Sequence, residues 1–228
     1  MSGILLKVLV LGDERTGKSC LVHRYCNETF TSTYNETASM IFELRILDNI
    51  YGKTVKVQVW DTPGCRRGFY QYRKYAMRAK PGAYIFLYDV TNRQSFNNLD
   101  SYVNEYITNG VFIQPVDFIL LGTKTDLEEQ RMVSTDEAKQ FAEKHSMDFL
   151  EVSALQNVGI EEAFDRLVTK LMVRSGETVA SNTKSARTIM VGTQQICSRR
   201  NIKVGKCLIH LTSWKVKIKK IKQIKNSL

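Results

Sequence analysis

Near the start of the chain, Gly12-Asp13-Glu14-Arg15-Thr16-Gly17-Lys18-Ser19 satisfies the spacing G-x-x-x-x-G-K-[ST]. That spacing lets successive backbone N–H groups surround a phosphate while the following helix adds the positive end of its dipole. Lys18 is placed to reach the β and γ phosphates of a nucleotide, and the Ser19 hydroxyl to bind Mg²⁺. A second group is Trp60-Asp61-Thr62-Pro63-Gly64. A carboxylate at such a point holds Mg²⁺, usually through water, and the N–H of Gly64 can approach a γ-phosphate with no side chain in the way. Alone, Asp-Thr-Pro-Gly reads as a turn; behind a phosphate loop the nucleotide reading prevails. A third group is Thr123-Lys124-Thr125-Asp126. A carboxylate there accepts from both N1–H and the exocyclic amine of guanine, a donor pair that adenine lacks. Lys124 would lay its aliphatic stem over the base, and Ser153-Ala154 would aim a backbone N–H at guanine O6. Lys-x-Asp and Ser-Ala occur freely in loops and helix caps, so the signal lies in their order behind the phosphate loop.

These groups need elements to hold them. Ile4 to Leu11 reads as a buried strand feeding the glycine loop, and a helix follows to about Cys26. Alternating apolar residues at Phe42, Leu44, Ile46 and again at Val55, Val57, Val59 predict an antiparallel hairpin across a turn at Asn49 to Lys53. Ala83 to Tyr88, Phe118 to Leu121 and Phe149 to Val152 are short apolar strands. Helical patterns over Phe69 to Arg78, Ser95 to Thr108, Thr135 to Lys144 and Ile160 to Val173 separate them. Strands alternating with helices predict an α/β protein with a mostly parallel sheet covered on both faces. The polar run Ser175 to Lys184 predicts a linker, which divides the chain into a domain over residues 1–174 and a basic, flexible tail over 175–228.

Composition narrows the function classes. The 228 residues carry a formal charge of +10, with 43% hydrophobic residues, which is enough to build a core without disulfides or a structural metal. Residues 173–228 hold 13 of the 33 Lys and Arg but one of the 23 Asp and Glu, so the tail carries +12 and the body −2. Only the tail invites an anionic partner, and no nucleic acid is expected at the domain itself. The five cysteines lack metal-type spacing and read as reduced thiols of a cytoplasmic protein. No apolar run approaches the roughly 18 residues of a spanning helix.

GDERTGKS, WDTPG, TKTD and SAL, in this order over residues 4 to 172, resemble the Ras superfamily of small GTPases. Tyr88 to Leu99 and Glu151 to Phe164 are most similar to the Rab branch. The resemblance covers about three-quarters of the chain. It implies the P-loop small-GTPase fold with a six-stranded, mostly parallel sheet, and a GTP/GDP site with Mg²⁺ held by Ser19, Thr37 and Asp61. Thr37, in Tyr34-Asn35-Glu36-Thr37, matches the threonine that closes on Mg²⁺ when GTP is bound. Phe30 matches the aromatic against the guanine, and Tyr34 the one that covers the phosphates. Cys20, Leu127 and Leu155 extend the nucleotide site by the same match. The resemblance further implies effector, exchange-factor and GTPase-activating partners at two switch loops, around Thr37 and Gly64, and a role in intracellular membrane traffic.

The sequence departs from the family at catalytic positions. WDTPGCRR puts Cys65 where WDTAGQE supplies the glutamine that orients the attacking water. A thiol lacks the amide's paired donor and acceptor, and without a neighbouring base Cys65 is a poor candidate for a covalent nucleophile. Glu14 and Arg15 stand where small residues are usual; Glu14 opposes the charge that develops on the γ-phosphate, and Arg15 offsets it in part. Pro63 replaces alanine and removes a backbone donor. With Lys18, Thr37 and Gly64 retained, the expectation is slow GTP hydrolysis, or a GTP-binding interaction module with negligible turnover as the alternative. An adenine-specific ATPase or kinase is disfavoured by Asp126. The chain closes on Lys225-Asn226-Ser227-Leu228, and Cys207 is too far from the end for either prenylation pattern. Trp214 to Leu228 reads as a basic amphipathic helix for an anionic membrane surface, a nucleic-acid targeting patch, or a tail without function. The first of these would place the protein peripherally on the cytosolic face of an internal membrane.

Overall fold

In a computed structural model, residues 3–50, 52–64, 78, 80–108, 116–176 and 188–195 are described. The chain divides into Met1–Cys197 and Ser198–Leu228, and the second unit lies outside the described residues. The first is built on a seven-stranded sheet of order β6-β5-β4-β1-β3-β2-β7. Its strands are β1 (Ile4–Gly12), β2 (Ile41–Ile50), β3 (Lys53–Asp61), β4 (Ala83–Asp89), β5 (Asp117–Thr123), β6 (Asp148–Glu151) and β7 (Thr188–Gln195). β1, β3, β4, β5 and β6 run parallel to one another, while β2 is antiparallel to β3 and closes the predicted hairpin.

Alternation in β1 shows how the sheet divides the core. Leu6, Val8 and Val10 face one side, where they pack with Leu21, Val22 and Tyr25 of α1 (Lys18–Asn27) and Phe164, Leu167 and Leu171 of α5 (Ile160–Arg174). Leu9 and Leu11 face the other, against Phe96, Leu99 and Tyr102 of α2 (Arg93–Asn97) and α3 (Leu99–Val103) and Ala138 and Ala142 of α4 (Thr135–Lys144). Two buried layers of this kind give the sheet helices on both faces. Tyr25 and Phe164 stack at 3.6 Å and 7°, and the Arg45 guanidinium covers the Tyr25 ring at 4.4 Å while pairing with Glu161 at 2.6 Å, which joins α1, β2 and α5.

Two features differ from the sequence reading. The helix expected over Ser95 to Thr108 is segmented: α2 ends at Asn97, Asn98 caps it, α3 begins at Leu99, and the last turn, Asn104–Thr108, is a π-helix. The break at Asn98 has a packing reason, since its side chain donates to the Asp13 carboxylate at 2.5 Å, and Tyr102 donates to the same group at 3.1 Å. The other is β7. The six expected strands are present, and a seventh, from the segment expected to be linker and tail, adds antiparallel to β2, pairing Thr188 with Leu47 and Gln195 with Ile41. A strand there covers what would otherwise be an open sheet edge. The expected helix over Phe69 to Arg78 lies, except for Arg78, outside the described residues, as do Cys65, Cys207 and Trp214 to Leu228.

Candidate nucleotide-binding site

The carboxyl ends of β1, β3, β5 and β6 all open on one side of the sheet, where ligands of open α/β sheets bind. A cavity of about 720 Å³ lies there, and Lys18, Ser19, Thr37, Asp61, Lys124 and Asp126 are among its walls. The three groups read from the sequence, the first and last of them more than a hundred residues apart along the chain, therefore meet in one space.

The phosphate loop leaves β1 at Gly12 and enters α1 after Gly17, whose φ of +88° is a left-handed conformation that glycine accepts without a Cβ clash. Thr16 donates to the Asp13 carbonyl at 2.8 Å, and Thr123 donates to the carbonyls of Thr16 at 2.7 Å and Tyr88 at 2.9 Å, so β4 and β5 buttress the loop from behind. Lys18 is buried and its Nζ donates to the Asp13 carbonyl at 2.6 Å, which folds the ammonium over the loop's hollow. The Asp13 side chain faces away from the cavity to Asn98 and Tyr102, so this residue serves the site by bracing the loop. Glu14 and Arg15 are exposed at the cavity rim.

Ser19, Thr37 and Asp61 come together as the resemblance implies. Ser19 Oγ donates to Asp61 Oδ2 at 2.7 Å, and Thr37 Oγ1 lies 3.0 Å from Ser19 Oγ and 3.4 Å from Asp61 Oδ2. The other carboxylate oxygen, Oδ1, is buried with no hydrogen-bond partner, and burial pushes the Asp61 carboxyl up against the opposing pull of Ser19 and Lys18. A buried carboxylate oxygen without a partner beside two hydroxyls is a donor set suited to a hard divalent cation. Gly64 sits against the loop: a Cβ there would fall 2.4 Å from Glu14 Cα and 2.8 Å from Lys18 Nζ, so only glycine fits. Cys65 follows immediately, outside the described residues.

At the other end of the cavity, Asp126 Oδ1 accepts from Ser153 Oγ at 2.5 Å, which fixes the carboxylate. Lys124, at a left-handed φ of +62°, pairs with Asp89 at 2.6 Å, which stretches its stem along the wall. Phe30, Leu127, Ala154 and Leu155 complete an apolar rim. Arg24 donates to the Ala154 and Leu155 carbonyls at 2.8 and 3.4 Å and lies 5.7 Å from the Phe30 ring centroid, tying the last loop to α1. Cys20 lines the cavity with its sulfur near the Thr31 carbonyl, and burial pushes its thiol up, so it is not activated as a nucleophile.

Sequence reasoning did not single out Arg24, Asp89, Asn98 or Tyr102, because each acts on a residue distant in sequence and carries no local pattern. It also missed His23 and Glu43, which line the cavity beside Ser19. Glu43 is buried and accepts from His23 Nδ1 at 2.7 Å and from Asn27 at 2.5 Å. The hydrogen bond to Glu43, its charge and that of Asp61 raise the His23 pKa against the effect of burial. A raised pKa in the folded state gives stabilisation that is full below the unfolded value of about 6.5 and disappears as pH rises through the folded value. With His23 43% exposed, solvent screening holds the effect to about 0.5–1 kcal/mol. Urea unfolding of the wild type and His23→Gln at pH 5.5 and pH 8.5 checks this. The wild type should hold its advantage only at the lower pH, and an equal gap at both pH values contradicts the pairing.

A doubly wound sheet whose carboxyl end brings together a glycine-rich loop, the Ser19 and Thr37 hydroxyls beside the Asp61 carboxylate, and Lys124 with Asp126 has the layout of a P-loop nucleotide-binding protein. The chain belongs to the Ras family, whose model matches residues 7–173, and within it to the Rab branch of small GTPases. It is 34% identical over 190 residues to the GTP-binding protein ypt1 of Schizosaccharomyces pombe, covering 82% of this chain and 90% of that one. It is 39% identical over 163 residues to GTP-binding protein YPT1 of Saccharomyces cerevisiae (70% and 75%), and 36% identical over 172 residues to Ras-related protein Rab-13 of Rattus norvegicus (75% and 82%). No helix among the described residues is long and apolar enough to cross a membrane.

Proposed function

We propose that this protein is a Rab-like switch in intracellular membrane traffic that binds GTP and GDP with Mg²⁺ and hydrolyses GTP slowly. The observation that carries the reading is the convergence of Asp126, Lys18 and the Ser19–Thr37–Asp61 set on one cavity. Ser19, Thr37 and Asp61 are the residues that would hold Mg²⁺, and the bound ion would neutralise charge on the phosphates. Lys18 and the loop amides stabilise the charge that spreads over the γ-phosphate as water attacks in line. Loss of that phosphate removes the reason for Thr37 and Gly64 to stay in place, and the two loops around them form the surface for effector, exchange-factor and GTPase-activating proteins. The basic tail supplies attraction to an anionic membrane surface.

Slow turnover rests on Cys65, which cannot orient water as an amide does, and on the Glu14 carboxylate at the rim of the phosphate end. The alternative of a binding module without turnover is supported by the same two residues, and nucleotide analysis of the purified protein separates them. A single-turnover assay should show hydrolysis below that of glutamine-bearing relatives, with Cys65→Gln raising the rate by about a hundredfold, the lower end of the range for a positioned acid–base group. Retained GTP that Cys65→Gln leaves unhydrolysed favours the module. An ordinary rate in the unmodified chain refutes slow hydrolysis.

A further inference from the structure

From the phosphate loop, the Arg15 side chain reaches across to the segment before Thr37. Its guanidinium carbon lies 4.9 Å from the centroid of the Tyr34 ring, within the range of a cation–π contact. Its backbone is also held at φ +62°, a left-handed conformation that costs a non-glycine residue energy. Tyr34 itself is 49% exposed and has little other packing to fix it, while three residues later Thr37 is anchored to Ser19 and Asp61. The chain from Thr31 to Thr37 forms one wall of the cavity, so a contact from the loop floor to Tyr34 closes that wall over the space where phosphates would lie.

We propose that Arg15 is a positioning residue that latches Tyr34 over the phosphate end of the cavity and slows the release of bound nucleotide. This rests on the nucleotide-binding reading above. Three features of the pair carry it. The contact bridges the two elements that must separate for a nucleotide to leave. It holds by charge against a π face, so it needs the ring of Tyr34 and the cation of residue 15 together. The strained backbone puts a long cationic side chain where glycine would sit without strain, so the position gains reach at a cost in local stability. Arg15 thereby acts on Tyr34, in addition to offsetting the charge of Glu14.

The test uses the full chain loaded with a fluorescent GDP and chased with excess unlabelled GDP. Arg15→Ala and Tyr34→Ala should each speed release by about two- to fivefold, the factor expected of an exposed cation–π pair. The double variant should be no faster than either single one. Tyr34→Phe, which keeps the ring, should release more slowly than Tyr34→Ala and should still be sped by Arg15→Ala. Arg15→Gly should be fast too, although relaxing the backbone leaves its melting temperature unchanged or higher, which separates the latch from a general loss of fold. Additive single effects, or release unaffected by Arg15→Gly, overturn the latch. Failure of the wild type to retain any guanine nucleotide defeats the functional reading instead. Amide exchange over residues 30–37 of the nucleotide-free chain then decides the latch alone: faster exchange in Arg15→Gly supports it, and unchanged exchange overturns it.

Discussion

Asp126→Asn is expected to lower the affinity for GTP by about 10²–10⁴-fold and to transfer preference to a xanthine nucleotide. The carboxylate is acceptor-only, and guanine presents two donors, N1–H and the exocyclic amine, to it. Each is a charge-assisted hydrogen bond worth about 1.5–3 kcal/mol, and an unpaired group left behind costs more than a bond never made. An asparagine offers one acceptor oxygen and, in place of the other, an NH2 donor. Guanine's amine would then meet a donor, while xanthine, which carries an oxygen in place of that amine, would meet its complement. The substitution should leave the rest of the site intact, because Ser153 Oγ donates to Oδ1, an oxygen that asparagine retains, and Lys124 is held separately by Asp89. Competition of labelled GTP by unlabelled GTP, ATP and XTP measures the outcome. In the wild type only GTP should displace the label efficiently; in Asp126→Asn, loaded with labelled XTP, only XTP should. If GTP still competes as well against the variant, Asp126 does not select the base.

The groups legible in the sequence were those whose function depends on neighbours along the chain. The phosphate loop is a continuous run, and Lys18, Ser19 and Gly17 act through the backbone that joins them. The strands behind it were legible because β1, β4 and β5 are short apolar runs, and β2 and β3 alternate. What escaped was the scaffolding between distant segments. Asn98 and Tyr102 brace Asp13 from more than eighty residues away, Arg24 holds the Ala154 loop, and Glu43 is buried in a strand where a polar residue would be expected to face solvent. The segmentation of the helix at Asn98 escaped for the same reason, since the bond that exploits the break is to another element. β7 escaped because the pairing of Thr188–Gln195 with β2 is a long-range event, and its flanks are polar and basic. Strand propensity expresses packing on a half-built sheet more than a local preference.

Removing the ammonium of Lys18 separates nucleotide binding from folding in a way that tests the whole phosphate end. Lys18 is 5% exposed; its ammonium donates to the Asp13 carbonyl, and its charge favours the ionised form of the buried Asp61 carboxyl. Lys18→Met fills similar volume with an apolar chain. The nucleotide-free variant should therefore stay folded, less stable than the wild type by about 1–3 kcal/mol because the Asp13 carbonyl and the Asp61 carboxylate lose their cation. With nucleotide the deficit is larger. Two charge-assisted bonds to phosphate oxygens are lost, about 3–5 kcal/mol in all, so the dissociation constant should rise by about 10²–10³-fold or more. Linkage turns this into a melting experiment. A non-hydrolysable GTP analogue with Mg²⁺ at about 1,000 times the wild-type Kd stabilises the wild type by about 4 kcal/mol, whereas a variant whose Kd is 1,000-fold higher gains only about 0.4 kcal/mol. Thermal unfolding with and without the GTP analogue should show a shift of many degrees for the wild type and almost none for Lys18→Met. An equal shift in both places the phosphates elsewhere. A nucleotide-free variant that is already unfolded makes Lys18 a structural residue first, because a methionine would then have failed to replace what the buried ammonium holds together.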